Sequence, residues 1–191
     1  METKTLDRRV RRTRQLLKDG LTELLREQPF SEISARAITD RKDLNRATFY
    51  LHYKNTYELL QDLEEDFFQR AQEMFDIQRA DLGKNSIRPF IENFLDYVMK
   101  NRSICQALLS RNANSDFTGR AFLFFHDNVA PVMREKYPQA SDDKIEYVLS
   151  FICYGLIGMV RRWFDNEMEM PKEDLLDLAD ALVENNRILL R

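Results

Sequence analysis

A chain of 191 residues, 43% hydrophobic and 32% charged, holds one large or two small domains and enough apolar mass for a packed core. Five Gly and five Pro are too few to punctuate many short strands, so an all-helical fold is expected. The net charge of −3 is divided: residues 1–54 carry 13 Lys/Arg against 8 Asp/Glu, and residues 55–191 carry 16 against 24. A basic head on an acidic body suits a polyanion-binding module joined to a module with another task.

In chain order, residues 1–7 read as a loose arm. Arg8, Arg9, Arg11, Arg12 and Arg14 then enter a helix running to about Glu27, with Val10, Leu17, Leu21 and Leu24 along one apolar face. Cations at a helix N-terminus oppose the macrodipole, and a bound anion would compensate them. Gln28-Pro29-Phe30 ends this helix, Phe30 being placed to plug the gap before the next pair. Ser31 or Ser34 can cap the helix Ala35–Arg41, whose inward anchor is Ile38. Lys42-Asp43 is a tight turn, Leu44 returns to the core, and Asn45 opens a second short helix through Leu51. Two helices joined by about three to four residues can place the second in a DNA major groove. Asn45, Arg46 and Thr48 open that helix where base edges would be met. Tyr50, His52 and Lys54 follow as donors to phosphate oxygens.

Asn55, with Glu58 three residues on, is close to a capping box and starts a long helix from Thr56 to about Arg79. Five further helices are expected: Ser86 to Lys100, Asn101 to Ser110, Ser115 to Tyr137 with a bend at Pro131, Ser141 to about Asp165, and one from Pro171 carrying Leu175, Leu178, Leu182 and Ile188. Gly155 and Gly158 interrupt the penultimate helix. Each costs about 1 kcal/mol against Ala, so another helix is expected to pack closely there, from the same chain or a second one.

At Ser31–Leu60 the sequence resembles the TetR family of bacterial transcription regulators. That family's helix-turn-helix has a Thr before its first helix, an Ile within it, a small turn and the run Thr-aromatic/Leu-Tyr-x-His-Phe/Tyr. Ser34, Ile38, Leu44 and Thr48-Phe49-Tyr50-Leu51-His52-Tyr53 occupy those places. The likeness covers about 30 residues, extending to roughly 60 with the preceding helix. It departs at Lys42-Asp43, where the family has Ala-Gly, and at Thr39, where Ala is common. The C-terminal run GLIGMVRRWFDNEMEMP looks similar to the branch that includes the dihydroxyacetone-operon activator type.

The resemblance implies an all-α fold of about nine helices: a three-helix DNA-binding domain at 1–54 and a larger ligand-binding and dimerisation domain at 55–191. It implies a homodimer paired through the last two helices, here at Gly155, Gly158, Leu175, Leu178 and Leu182. The pair would grip a palindromic duplex operator. The DNA contacts would be Asn45, Arg46, Thr48 and Tyr50, with Ser34, His52, Lys54, Arg8, Arg9, Arg12 and the rest of the Arg8–Arg14 cluster on phosphates. Repression relieved by a small effector is implied, with an activator controlled by a partner protein as the rival within the family. A helical scaffold without DNA function is the rival outside it.

Phe90, Phe94, Tyr97, Phe122, Phe125, His126 and Tyr154 are candidate effector-pocket residues, with His126 as the isolated polar group in an apolar region. The alternative for each is plain core packing. Trp163 is a further candidate for a pocket or a dimer rim. No enzymatic chemistry is expected: the two His lie far apart in sequence, and no metal cluster, phosphate-cradling Gly loop or nucleophile motif occurs, so no metal or cofactor is predicted. Cys105 and Cys153 in apolar surroundings suit a reducing compartment. The longest apolar run, Val148 to Val160, is 13 residues against the roughly 20 a membrane span needs. A location in the bacterial cytosol, on the nucleoid, follows as the expectation.

Overall fold

The computed structural model of the chain describes the backbone of residues 2–82, 88–110 and 116–190, and the side chains of 8–77, 88–110 and 116–190. Among them are nine α-helices and no strand: α1 Glu2–Leu25, α2 Ala35–Arg41, α3 Arg46–Tyr50, α4 Thr56–Leu82, α5 Arg88–Lys100, α6 Arg102–Leu109, α7 Phe117–Lys136, α8 Asp142–Asp165 and α9 Lys172–Arg187. The all-α expectation holds. The loose arm does not: α1 already begins at Glu2, since neither Gly nor Pro interrupts the chain between it and the apolar face. The expected start of the fifth helix at Ser86 and of the seventh at Ser115 lie outside the described residues.

The chain forms two compact units. The first comprises Met1–Phe67 with Ser103–Ser115, and the second Phe68–Arg102 with Asp116–Arg191. The boundary expected at 54/55 therefore falls inside the first unit, which keeps the opening turns of α4 and recruits α6. The cause is apolar. Leu59, Leu60 and Leu63 of α4 and Cys105, Ala107 and Leu108 of α6 are all buried, and a 54-residue head alone would have little core.

In the first unit α1 buries Leu17, Leu21, Leu24 and Leu25, each such side chain stabilising by about 1.5–3 kcal/mol. Phe30 closes the gap as expected, buried and edge-on to Tyr57 at 4.8 Å between ring centroids. The boundaries of α2 and α3 are set by single residues. Ser34 Oγ accepts the Ala37 N–H (3.1 Å), and Asn45 Oδ1 accepts the Ala47 N–H (2.8 Å). Between them Asp43 takes φ = 50°, the left-handed conformation that Gly would adopt without strain and Asp tolerates better than most. Leu44 N–H then bonds back to the Thr39 carbonyl at 2.9 Å. Thr39 is fully buried and donates its hydroxyl to the Ala35 and Arg36 carbonyls, so the hydroxyl enters the helix contact already satisfied. Gly20 permits the close approach of α1 to α2. A Cβ there would lie 3.1 Å from both the Ile38 carbonyl oxygen and Lys42 Cγ.

In the second unit α8 packs against α7 and α9, and α5 against α9. Its core includes Phe75, Phe90, Phe125 and Cys153. Ser141 caps α8, and α7 continues through Pro131 to Lys136. Surface ion pairs join neighbours: Arg88–Asp177 (2.6 Å) and Lys172–Asp96 (2.8 Å) between α5 and α9, Arg134–Asp142 (2.9 Å) and Arg134–Glu146 (2.7 Å) between α7 and α8.

Candidate nucleic-acid interface

α3 is only five residues long, too short to persist alone. It is held from inside by Phe49, 0% exposed, and by Tyr53, 3% exposed, whose N–H bonds to the Phe49 carbonyl at 3.0 Å. With those two inward, the remaining side chains are presented outward. Arg46 is exposed and donates Nη2–H to the Tyr50 hydroxyl at 3.2 Å, its guanidinium 5.5 Å from that ring's centroid. The pair, four residues apart, forms a polar stripe whose donors are fixed relative to each other. Thr48 and His52 are half-buried on the other flank. Asn45 is exposed with Oδ1 spent on capping, which leaves its side-chain N–H groups facing outward. Lys54 is exposed while its backbone N–H donates to Glu58 Oε2 at 2.6 Å, and Glu58 N–H donates to Asn55 Oδ1 at 2.9 Å. The reciprocal cap is thus shifted by one residue from the expected box.

Ser34 is exposed, and its hydroxyl proton remains available after Oγ has capped α2. Arg8, Arg9 and Arg12 are exposed along the early turns of α1. Arg14, expected in the same phosphate-gripping cluster, is engaged elsewhere. It donates Nε–H to the Tyr53 hydroxyl (3.2 Å) and Nη2–H to Asp62 (2.7 Å). Asp62 also accepts from Tyr53 (2.6 Å) and pairs with Lys18 (2.8 Å), which reaches Asp66 as well. This cluster fastens the end of the α3 segment to α1 and α4. Burial raises the Tyr53 phenol, reinforced by donation to Asp62. Burial would raise Asp62 too, but the hydrogen bonds from Lys18, Tyr53 and Arg14 together hold it below the usual carboxylate range. Hydrogen bonds to Tyr53 and then Asp62 raise Arg14. Sequence reasoning missed the tie. Its signal was matched spacing, Arg14 and Lys18 four residues apart facing Asp62 and Asp66 at the same interval.

In the second unit the seven candidate pocket residues pack largely on one another. Phe90 and Phe125 are buried with centroids 6.2 Å apart, Phe94 lies 6.1 Å from Phe125, and Phe122 stacks on Tyr154 at 5.2 Å. Tyr97 is half-buried. His126 is not isolated among apolar groups: Nδ1 lies 3.1 Å from Asp127 and Nε2 2.9 Å from Glu146 on α8. The bond to Asp127 and then that to Glu146 raise its pKa. Burial pushes the Cys105 and Cys153 thiols up to about 12, which leaves both inert.

A groove of about 560 Å³ runs elsewhere in this unit, lined by Gly155, Gly158, Met159, Arg162, Trp163 and Leu178 among others, and by none of those seven residues. Trp163 is buried and donates Nε1–H to the Met170 carbonyl at 2.8 Å, anchoring the α8–α9 loop, where Glu167 and Met168 adopt positive φ. Gly155 and Gly158 have nothing of their own chain within 4 Å of an added Cβ, so packing within the chain is not what offsets them. Tyr147, Phe151 and Tyr154 of α8 and Leu178 and Leu182 of α9 are exposed. Leu175, grouped with these two by sequence, is instead buried beside Leu176, Ala179 and Val183 on the inward face of α9.

Residues 85–185 match the model of a family described as "Transcriptional regulator C-terminal region", of TetR type. Over 61 residues the chain is 44% identical to YxbF of Bacillus subtilis (strain 168), an uncharacterized HTH-type transcriptional regulator; the match covers 31% of this chain and 16% of that protein. A TetR transcriptional regulator from Streptococcus agalactiae 2603V shares the fold, with TM-score 0.67, 24% identity, and coverage of 95% of this chain and 98% of the other. The TetR family repressor AlkX of Dietzia sp. strain DQ12-45-1b, implicated in biodegradation of n-alkanes, gives TM-score 0.48 and 17% identity over 92% and 96% of the two chains.

Proposed function

Because this chain belongs to the TetR family of transcriptional regulators, we propose that it acts in the bacterial cytosol as a homodimeric repressor. It grips a palindromic operator and releases it when an effector binds the second unit. The observation that carries this reading is α3: a capped, internally anchored reading helix whose Arg46–Tyr50 pair faces outward. Asn45, Arg46, Thr48 and Tyr50 meet the DNA, while Ser34, His52, Lys54, Arg8, Arg9 and Arg12 bind phosphates.

The second copy docks on the exposed α8–α9 face, where Gly155 and Gly158 leave room for a close helix and Leu178 and Leu182 are uncovered. Half-sites on one DNA face lie about 34 Å apart, so a shift of several ångströms between two reading helices breaks simultaneous docking. α4 carries that shift, since it runs unbroken from Thr56, two residues after Lys54, to Leu82.

The test is a titration of the protein with duplex DNA fragments at several salt concentrations. Affinity should fall by about 0.9 log units per log unit of salt for each phosphate contacted, and Lys54→Ala should flatten that slope by about one unit. Salt-independent binding, or none, defeats the proposal.

A further inference from the structure

Resting on the DNA-reading assignment, the outward pole of α3 carries a second message. Successive residues of a helix are rotated by about 100°, so its side chains fall into stripes four residues apart. Phe49 and Tyr53 form the inward stripe, both buried. Arg46 and Tyr50 flank it on one side, Thr48 and His52 on the other. The stripe diametrically opposite the core is Ala47 and Leu51. Helical bonding persists that far, since Leu51 N–H donates to the Ala47 carbonyl at 3.2 Å and Leu51 keeps right-handed helical angles.

Ala47 is exposed, and Leu51 is 80% exposed, among the most exposed large apolar side chains described. The leading ridge of the reading helix is therefore apolar, with hydrogen-bonding groups only on its shoulders. In the major groove the apolar group a base edge offers is the C5-methyl of thymine; the other edges present donors and acceptors. We propose that Ala47 and Leu51 read thymine methyl groups in each operator half-site, making Leu51 a specificity-determining residue. Arg46 and Tyr50 take the polar edges or phosphates beside it. Leu51 gives up water only when the duplex arrives, so its contribution appears in binding and is absent from folding.

The experiment selects bound sequences from a randomised duplex pool with the full chain. It then replaces each thymine of the selected site, one at a time, with deoxyuridine, which removes only the methyl group. At one or two thymines per half-site the substitution should weaken binding by about three- to fivefold, the worth of one buried methylene-sized group. The loss should vanish in Leu51→Ala, whose unchanged helical circular dichroism shows that the fold is intact. A selected site indifferent to every methyl, or equally sensitive with Leu51→Ala, overturns this inference alone. A pool yielding no enriched sequence overturns the DNA-reading assignment and this inference with it.

Discussion

Replacing Gly155 and Gly158 together with alanine separates the stability of the protomer from that of the proposed pair. The two glycines cost α8 about 2 kcal/mol of helix stability relative to alanine, about 1 kcal/mol each. Beyond the surrounding turns of its own helix backbone, a Cβ at either position meets nothing within 4 Å, so no packing inside the protomer opposes the gain. The doubly substituted protomer should therefore unfold with a stability higher by about 2 kcal/mol. In the pair the sign reverses. Each methyl group enters the place left for the neighbouring helix, where overpacking costs about 1–3 kcal/mol per site, and twofold symmetry applies the insult to both copies. A net loss beyond about 1.4 kcal/mol raises the dimer dissociation constant at least tenfold. Sedimentation equilibrium over a wide concentration range reads the association, and urea unfolding at concentrations below it reads the protomer. Association unchanged from wild type removes the glycines from the interface. A protomer that gains no stability refutes the reasoning from open space.

The same exchange at Gly20 should act oppositely: Ile38's carbonyl lies 3.1 Å from the new methyl, so Gly20→Ala should lower urea stability by about 1 kcal/mol despite its propensity gain, and weaken DNA binding by shifting α2. Asp62→Asn should destabilise by about 2 kcal/mol, less than a fully buried pair would cost, because Lys18 keeps Asp66 and the site is partly open. Asp62's depressed pKa means that its contribution is present above the unfolded carboxylate value and lost as pH falls through the folded one. The gap between wild type and variant, followed by thermal melting, should hence close below about pH 4. His126 is the reverse case: its pKa is raised by Asp127 and Glu146, so its contribution is complete below about pH 6.5 and is lost as pH rises through the folded value. His126→Gln should abolish that decline in melting temperature, and a parallel decline in the variant would exclude the histidine as its source.

The helix-turn-helix was legible because each of its boundaries rests on one residue with one physical role. Ser34 and Asn45 cap, Asp43 takes the left-handed turn, and Asn55 opens α4. What periodicity cannot decide is which of two apolar stripes on one helix faces inward. On α9 Leu175, Leu176, Ala179 and Val183 make one stripe, and Leu178 and Leu182 another beside it. Both obey the helical repeat, and only packing shows that Leu175 belongs to the buried set. His126 failed for a related reason. The residues before it, Phe122 to Phe125, are apolar, but its partners are Asp127, next along the chain, and Glu146 at 2.9 Å, which a different helix supplies. The compact unit around the helix-turn-helix also takes in Cys105, Ala107 and Leu108 from far along the chain, a grouping that no local pattern reveals.

The proposed reading helix α3 is five residues long and has no direction of its own, so whatever aims it would also control what it reads. Its aim is fixed by Phe49 in the core and by Tyr53, whose hydroxyl donates to Asp62 on α4 at 2.6 Å. Asp62 is in turn held by Arg14 and by Lys18. These contacts bind α3 to α4 more firmly than the exposed turn at Lys54 and Asn55 could, since partly buried charges are screened less than exposed ones. The outward ridge of Ala47 and Leu51 must then follow any rotation of the first turns of α4, with no separate relay needed. Weakening the tie at Tyr53 or Asp62 should loosen α3 even where none of the proposed DNA contacts has changed.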